Sequence, residues 1–201
     1  MFAAGTDTTF TALDWTMAEL IRNPGVMKKV QEEIKEVVKG KGNVSEEDID
    51  QMSYLKAVIK EVLRLHPPLP LLVPRESTER VKLHGFEIPT KTRVIINAWA
   101  IGRDPKTWER PEEFWPERFL NSVVDFKGQD FQLIPFGAGR RGCPGIMFAI
   151  STIELALATL LHHFDWKMPD GMSAEELDMS ESPGITVHRK TSLVVQATPK
   201  F

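Results

Sequence analysis

The sequence has almost no cysteine, because Cys143 is the only one among its 201 residues. A single cysteine excludes an intrachain disulfide and a zinc site built from several cysteines. The sequence also lacks an excess of positive charge. Its formal net charge is −3 at pH 7, which does not favour nucleic acid as a partner. No uninterrupted apolar run approaches the roughly 18 residues that a membrane-spanning helix needs.

The first residues lack the features of a secretory signal peptide. No basic region precedes the apolar positions, and Asp7 and Asp14 come early. The spacing is instead that of a helix interior, with no capping residue before Met1. We therefore expect residues 1–201 to be a fragment of a longer chain.

The sequence does contain helical periodicity, which proline and glycine interrupt. Apolar spacing predicts helices over residues 8–22, 26–38, 52–65 and 145–162, and Ser45 with Asp48 predicts the start of a further short helix. Residues 70–98 predict short strands, and residues 102–143 predict a long irregular segment with a functional role. The segments ITVHRK and SLVVQAT predict a final hairpin. The predicted fold class is α+β, mainly helical, with small β-sheets.

Cys143 lies in the loop PFGAGRRGCPG (135–145), where glycine, proline and arginine surround the thiol. Pro144 suits the first position of a helix, because its missing N–H leaves no hydrogen bond unmade there. We therefore expect Cys143 at the N-cap, next to the positive end of the helix dipole. Arg140 and Arg141 add positive charge, so the loop favours the thiolate. A buried structural cysteine is the alternative interpretation.

The glycines of this loop have two interpretations. In the first, they let the backbone approach a flat and bulky group. In the second, GAGRRG follows a strand FQLIPF and forms a dinucleotide-binding turn, with Asp165 as the acidic residue that binds the ribose. Pro144 argues against the dinucleotide, because a proline inside that helix costs about 3 kcal/mol. The chain that follows is also too short for the remaining βαβ units.

The loop resembles the haem-binding signature F-x-x-G-x-R-x-C-x-G of the cytochrome P450 family, with matches at Phe136, Gly139, Arg141, Cys143 and Gly145. The resemblance implies that the Cys143 thiolate is the axial ligand of the iron of haem b, which pushes electron density toward O–O cleavage. It implies that the other four residues bind the cofactor. Arg141 would pair with a haem propionate, since an arginine fork suits a carboxylate.

The segment AGTDTT (4–9) resembles the oxygen-activating part of this family's distal helix. The resemblance implies that Ala4 and Gly5 leave room for dioxygen and substrate. It gives catalytic roles to Thr8, which stabilises the activated oxygen, and to Asp7, which helps to deliver protons. A helix-capping cluster is the alternative interpretation, because aspartate and threonine are common at helix starts.

Glu61 and Arg64 in EVLR are three residues apart and can meet on one helix face. Such pairs usually lie on the surface and contribute under about 1 kcal/mol. The pair resembles the family's E-x-x-R motif, with Arg118 of PERF as the third member. The resemblance implies a buried structural network that positions the cysteine loop.

The segment PPLPLLVPRES (67–77) resembles the family's segment between the substrate and the haem. It implies that Arg75 binds the second propionate. The implied lining of the substrate pocket comprises Leu69, Leu71, Leu72, Val73 and, in the turn at 183–186, Gly184 and Ile185. An edge strand with core leucines is the alternative interpretation.

Together these motifs are similar to those of plant microsomal members of the family. They imply a monooxygenase that inserts one atom of dioxygen into a small lipophilic substrate, of the specialised-metabolite class. Electrons would come from NADPH through a flavoprotein reductase, with cytochrome b5 as a second candidate partner, and Arg140 would help to dock an acidic partner. The resemblance also implies that residues 1–201 are the C-terminal portion of a single domain, whose N-terminal part and membrane anchor would precede Met1. The full-length protein would lie on the cytosolic face of the endoplasmic reticulum membrane.

Two alternatives stay open from the sequence. One is a haem enzyme of the same fold that rearranges peroxides without dioxygen or a reductase. The Asp7–Thr8 pair argues against this alternative, because such chemistry has no need for a proton supply. The other is a truncated, non-catalytic fragment, which haem retention would distinguish.

Overall fold

The computed structural model describes residues 2–200, and its main elements are helices. The helices are α1 Phe2–Arg22, α2 Pro24–Val38, α3 Glu46–Ile49, α4 Ser53–Leu65, α5 Ala98–Ile101 and α6 Ile146–His163. Single 3₁₀ turns lie at Pro116–Phe119, Gly139–Arg141 and Ala174–Glu176. The strands are β1 Arg75–Glu76, β2 Val81–Leu83, β3 Phe86–Ile88, β4 Arg93–Val94, β5 Phe164–Lys167 and β6 Gln196–Pro199. The predicted α+β, mainly helical fold is confirmed.

The core lies between α1, α2, α4 and α6, which pack against one another. Its fully buried side chains include Leu20, Ile34, Leu55, Ile59, Leu157 and Leu161. Each burial of a large aliphatic side chain contributes about 1.5–3 kcal/mol, so this bundle is the main stabilising unit. It holds α6, and hence the loop before it, in a fixed position relative to α1.

Helix α6 has the length and apolar composition that a membrane span needs, with 18 residues from Ile146 to His163. The sequence prediction missed this, because it looked for an unbroken apolar run. The structure packs α6 against α1, α2, α3 and α4. One face of α6 therefore lies in the core, whereas Met147 and Phe148 near its start are exposed.

Local sequence signals account for the helix ends. Pro24 occupies the first turn of α2, and Lys39, with φ of 48°, takes the left-handed conformation that ends it. Ser45 and Asp48 form the predicted capping box around the start of α3. The observed α2, α4 and α6 begin and end within about two residues of the predicted ranges, whereas α1 begins earlier than predicted, at Phe2.

The strands form three antiparallel pairs, β1 with β4, β2 with β3, and β5 with β6. The predicted final hairpin is therefore wrong. β6 instead pairs with β5, which directly follows α6, and segment 180–190 closes on itself through a bridge between Glu181 and Arg189. The physical reason is that the ITVHRK segment is bound to α1, as described below, and is not available to a neighbouring strand.

Candidate functional site

The loop that carries Cys143 is closed by one backbone hydrogen bond, from the Cys143 N–H to the Phe136 carbonyl, 2.9 Å. Gly137 and Gly139 have φ of 72° and 69°, a conformation that favours glycine. The Phe136 ring lies 5.8 Å from the Phe126 ring and anchors the loop to the core. Cys143 itself is exposed, so the interpretation as a buried structural cysteine is wrong.

Cys143 is not the N-cap of α6, as predicted. Gly145 is the N-cap, because its carbonyl accepts the first helical hydrogen bond, from the Ala149 N–H at 2.9 Å. The hydrogen bond from Cys143 to Phe136 keeps the cysteine in the loop, and the chain turns through Pro144 before the helix begins. The thiol therefore lies just ahead of the helix N-terminus rather than on it.

Three arginines lie in or next to the loop that carries the exposed thiol. Arg75 donates to the Arg141 carbonyl at 2.6 Å, which joins the β1 segment to the cysteine loop. Arg140 and Arg141 are both exposed. Within residues 2–200, none of these three guanidinium groups forms an ion pair with a carboxylate. The loop therefore presents unneutralised positive charge beside a sulfur donor.

The surroundings of Cys143 fit the cofactor that the resemblance implies. A side chain added at Gly145 would meet only the Cys143 sulfur, at 3.9 Å, and one added at Gly139 would meet nothing within 4 Å. The face beside the sulfur is thus open to a large group. A thiolate ligand suits iron, and unpaired arginines suit the propionates of haem. The residues present and the group are chemically compatible.

The predicted substrate segment divides between two faces. Leu71 and Val73 are 48% and 56% exposed, Leu69 is half-buried, and Leu72 is 9% exposed. Leu72 has a φ of 52°, which turns its side chain away from those of its neighbours. It packs in a small core with Ala98 and Ile134. The predicted pocket lining is therefore corrected at Leu72, because this side chain packs in the core beneath the cysteine loop.

Glu61, Arg64 and Arg118 lie together in one network. Arg64 contacts both carboxylate oxygens of Glu61 at 2.8 Å, and Arg118 Nε lies 3.0 Å from Glu61 Oε1. The Glu61 and Arg64 side chains are fully buried. Their remaining hydrogen-bonding groups are satisfied by backbone, as a buried charge pair requires. This joins α4 to the turn at Pro116–Phe119.

Two partners of this network were missed by the sequence reasoning. The Trp115 N–H donates to Glu61 at 2.8 Å, and the Gly102 carbonyl accepts from Arg64 at 2.6 Å. A side chain at Gly102 would approach the Arg64 carbonyl to 2.5 Å, so only glycine fits there. Trp115 could have been found from the sequence, because it lies in the FWPERF motif three positions before Arg118. No sequence pattern marked Gly102 as a partner of the network.

Asp7 and Thr8 lie inside α1, so the alternative of a helix-start cap is wrong. The Thr8 hydroxyl donates to the Ala4 carbonyl at 2.7 Å. Adjacent helical residues do not face each other, and the Asp7 carboxylate points elsewhere. Ala4 and Gly5 are exposed on the same first turns of the helix.

The Asp7 carboxylate faces His188, which the sequence reasoning did not single out. Asp7 Oδ1 lies 3.3 Å from His188 Nε2, and Thr11 Oγ1 lies 2.8 Å from His188 Nδ1. Thr11 is one helical turn after Asp7, which was an available signal for a shared face. The 177 residues between Thr11 and His188 left no local signal for the histidine.

The turn that contains Gly184 and Ile185 is held tightly at its base. The Ser182 N–H donates to the His188 carbonyl at 2.8 Å. A side chain at Gly184 would approach the Thr186 carbonyl to 2.6 Å, so the turn needs glycine. Ile185 at the tip is 80% exposed and presents an apolar side chain.

Burial raises the pKa of the Asp14 carboxyl, farther along the same face of α1. The positive charges of Arg189 and His188 lower that pKa and partly offset the effect. Arg189 Nη1 lies 3.8 Å from Asp14 Oδ1. The 188–189 segment therefore meets acidic groups on α1 at two successive positions.

Comparison with known proteins gives matches over nearly the whole chain. Residues 1–195 match the family model described as Cytochrome P450. The chain is 64% identical over 197 residues to cytochrome P450 71A1 of Persea americana, covering 98% of this chain and 39% of that relative. It is 56% identical over 200 residues to (+)-menthofuran synthase of Mentha piperita, covering 100% and 41%.

A further relative is strychnine-11-hydroxylase of Strychnos nux-vomica, 58% identical over 195 residues, covering 97% of this chain and 38% of that protein. Among solved structures, a zebrafish cytochrome P450 determined with abiraterone superposes with a TM-score of 0.88 at 35% identity. The match covers 99% of this chain and 45% of that one. The chain thus spans about two-fifths of the length of the curated relatives it matches.

Proposed function

This chain belongs to the cytochrome P450 family, and we propose that it is the C-terminal, haem-binding portion of a haem-thiolate monooxygenase. The observation that carries the proposal is the exposed Cys143 thiol, set in a glycine loop among arginines without carboxylate partners. Residues 1–201 would belong to a single domain. By full-length protein we mean this chain together with the further length that its curated relatives have.

We propose that haem b, when bound, supplies the activation of dioxygen, while the chain holds the cofactor and controls its surroundings. The Cys143 sulfur would bind the haem iron. Arg75 and Arg141, which the 2.6 Å hydrogen bond holds next to each other, would bind the propionates. Phe136, Gly139 and Gly145 would shape the loop so that the space next to the sulfur stays open.

The proton supply is proposed to come from α1. Thr8 keeps its hydroxyl hydrogen on the Ala4 carbonyl, so its oxygen can accept a hydrogen bond from a protonated donor. Asp7 is an ionisable group on the same turn and holds the proton that is to be moved. A supply of protons is needed where dioxygen is reduced to water, which favours monooxygenation over peroxide rearrangement.

The substrate is proposed to be small and lipophilic, of the specialised-metabolite class. The exposed apolar side chains of Leu71, Val73 and Ile185 support this class, because they offer apolar contact area and no charge. Two relatives are named for forming (+)-menthofuran and for hydroxylating strychnine. These names support a small organic substrate and do not identify it.

The electrons are proposed to come from NADPH through a flavoprotein reductase, with cytochrome b5 as a second donor. Arg140 is exposed at the cysteine loop, where it would attract an acidic partner surface. The proposed location of the full-length protein is the cytosolic face of the endoplasmic reticulum membrane, where such a reductase would meet it.

The test is the spectrum of the reduced carbon monoxide complex of the full-length protein. We expect the red-shifted Soret band of thiolate ligation in the wild type and its loss in Cys143→Ser. Met172→Ser is the matched control, because Met172 is another exposed sulfur side chain, outside the loop. A thiolate band that persists in Cys143→Ser would contradict the proposal.

A further inference from the structure

The hydrogen atoms around His188 can be assigned from the contacts of Thr11. Thr11 is 1% exposed, so its hydroxyl has little access to water. Its single hydrogen is donated to the Asp7 carbonyl at 2.8 Å. The Thr11 oxygen must then accept from His188, which places a hydrogen on Nδ1 of the ring.

This assignment determines what lies between His188 and Asp7. A neutral imidazole with its hydrogen on Nδ1 would present a bare lone pair at Nε2. Nε2 lies 3.3 Å from Asp7 Oδ1, and two lone pairs at that distance repel. The contact is favourable only if a proton lies between them, either on the imidazole with an ionised Asp7 or on the Asp7 carboxyl.

The backbone around His188 is fixed by contacts that do not involve Asp7. The Val187 N–H donates to the Pro68 carbonyl at 2.9 Å, and the Trp15 indole donates to the Val187 carbonyl at 3.1 Å. The Ser182 N–H donates to the His188 carbonyl at 2.8 Å. The ring is therefore held in place before any proton is shared.

The surroundings allow the pair to exchange protons with solvent. The His188 side chain is 35% exposed and the Asp7 side chain 48% exposed. Besides Asp7, the charged groups that face His188 are Asp14 on α1 and Arg189 in its own segment. The Phe10 ring, 6.2 Å from the imidazole, is the apolar neighbour.

We propose that His188 is the positioning residue of Asp7 and that the two side chains store one proton for the oxygen chemistry beside Thr8. The proton would leave from the Asp7 carboxyl oxygen, and His188 Nε2 would take up its replacement from solvent. The inference rests on the proposed function for its chemical purpose. The shared proton itself is a property of residues in this chain and can be tested independently.

The first experiment is a thermal double-mutant cycle on the haem-loaded full-length protein. We expect Asp7→Asn and His188→Gln each to lower Tm by about 1–2 °C, as a partly exposed charge pair implies. The double variant should lose no more than either single variant. Lys190→Gln, which removes a neighbouring exposed charge, is the control and should not couple to Asp7→Asn. Additive shifts would overturn the proposal.

The second experiment measures product formed per NADPH consumed. We expect His188→Gln to lower this ratio several-fold while haem content stays unchanged. His188→Arg, which keeps a positively charged donor facing Asp7, should restore most of the ratio. A purely structural role would leave the ratio in His188→Gln equal to that of the wild type.

The two experiments separate the inference from the function on which it rests. If the wild type lacks the thiolate band, the proposed function fails, and the thermal cycle alone decides whether Asp7 and His188 are coupled. If the band is present but His188→Gln couples NADPH to product as the wild type does, the role of His188 is refuted and the monooxygenase stands.

Discussion

At the scale of single residues, the Thr8 hydroxyl has one contact that matters for function. Its hydrogen is committed to the Ala4 carbonyl at 2.7 Å, which is a local contact that the fold does not require. We expect Thr8→Ala to leave haem content unchanged, because the helix continues through this position. Loss of the hydroxyl should misdirect protons and lower product per NADPH by roughly tenfold or more, with peroxide formed instead.

The control for this prediction is Thr9→Ala, which removes the same group from the next position on α1. Product and hydrogen peroxide are measured together against NADPH consumed. Equal coupling in the wild type and Thr8→Ala would show that Thr8 has only a structural role.

Leu72 allows a second prediction at this scale, since a buried leucine with φ of 52° is unusual. Truncation to alanine loses the contacts with Ala98 and Ile134 and keeps the backbone strain. Truncation to glycine loses the same contacts and relieves the strain, which is worth roughly 1 kcal/mol. We expect Leu72→Gly to unfold at a higher temperature than Leu72→Ala, the reverse of the usual order. The usual order would show that the positive φ carries no strain.

At the scale of elements, the buried network links α4 to the turn at Pro116–Phe119. Glu61→Ala leaves Arg64 charged and fully buried without its partner, and breaking such a pair costs about 3–5 kcal/mol. We expect little folded, haem-loaded protein from this variant. Glu87→Ala is the matched control, because both side chains of its ion pair with Arg80 are exposed, 60% for Glu87 and 73% for Arg80. That change should cost under about 1 kcal/mol.

Denaturant unfolding and haem content per chain measure both variants. Equal stability of the two would mean that the Glu61 network contributes no more than a surface ion pair. The comparison is informative because both changes remove one carboxylate from an arginine, and they differ mainly in burial.

The elements that sequence predicted well are those whose signals are local. The α2 and α4 helices follow from apolar spacing and from Pro24 and Pro67 at their ends. The capping box at Ser45 involves residues only three apart. In each case the information lies within one or two helical turns, so it does not depend on the rest of the fold.

The predictions that failed depended on distant parts of the chain. β6 pairs with β5, which lies about thirty residues earlier, and no local pattern selects that partner over the ITVHRK segment. The Cys143 N-cap failed because a hydrogen bond to Phe136 holds the loop back from the helix. His188 was missed because its partners on α1 lie at the other end of the sequence.

At the scale of the whole molecule, large apolar side chains remain exposed on two helices that pack against each other. Phe10 on α1 is 59% exposed, and the adjacent Met147 and Phe148 on α6 are 66% and 78% exposed. Adjacent exposed apolar residues indicate a surface for binding or for aggregation. This is consistent with the proposal that further chain covers these helices in the full-length protein.

The last prediction follows from this surface. Apolar area is worth about 25 cal/mol per Å² when buried, and native domains have only about 5–15 kcal/mol of net stability. We therefore expect the 201-residue chain, expressed alone, to aggregate, as measured by gel filtration with light scattering. We also expect it to retain less than one haem per chain, as measured by haem content after gel filtration. The double variant Met147→Gln/Phe148→Gln should raise the monomeric fraction of this chain. In the full-length protein the same variant should lower haem-loaded yield, because polar groups would then be buried without partners. A monodisperse, fully haem-loaded chain that turns over substrate would show that far less protein suffices to build the distal side of the haem site.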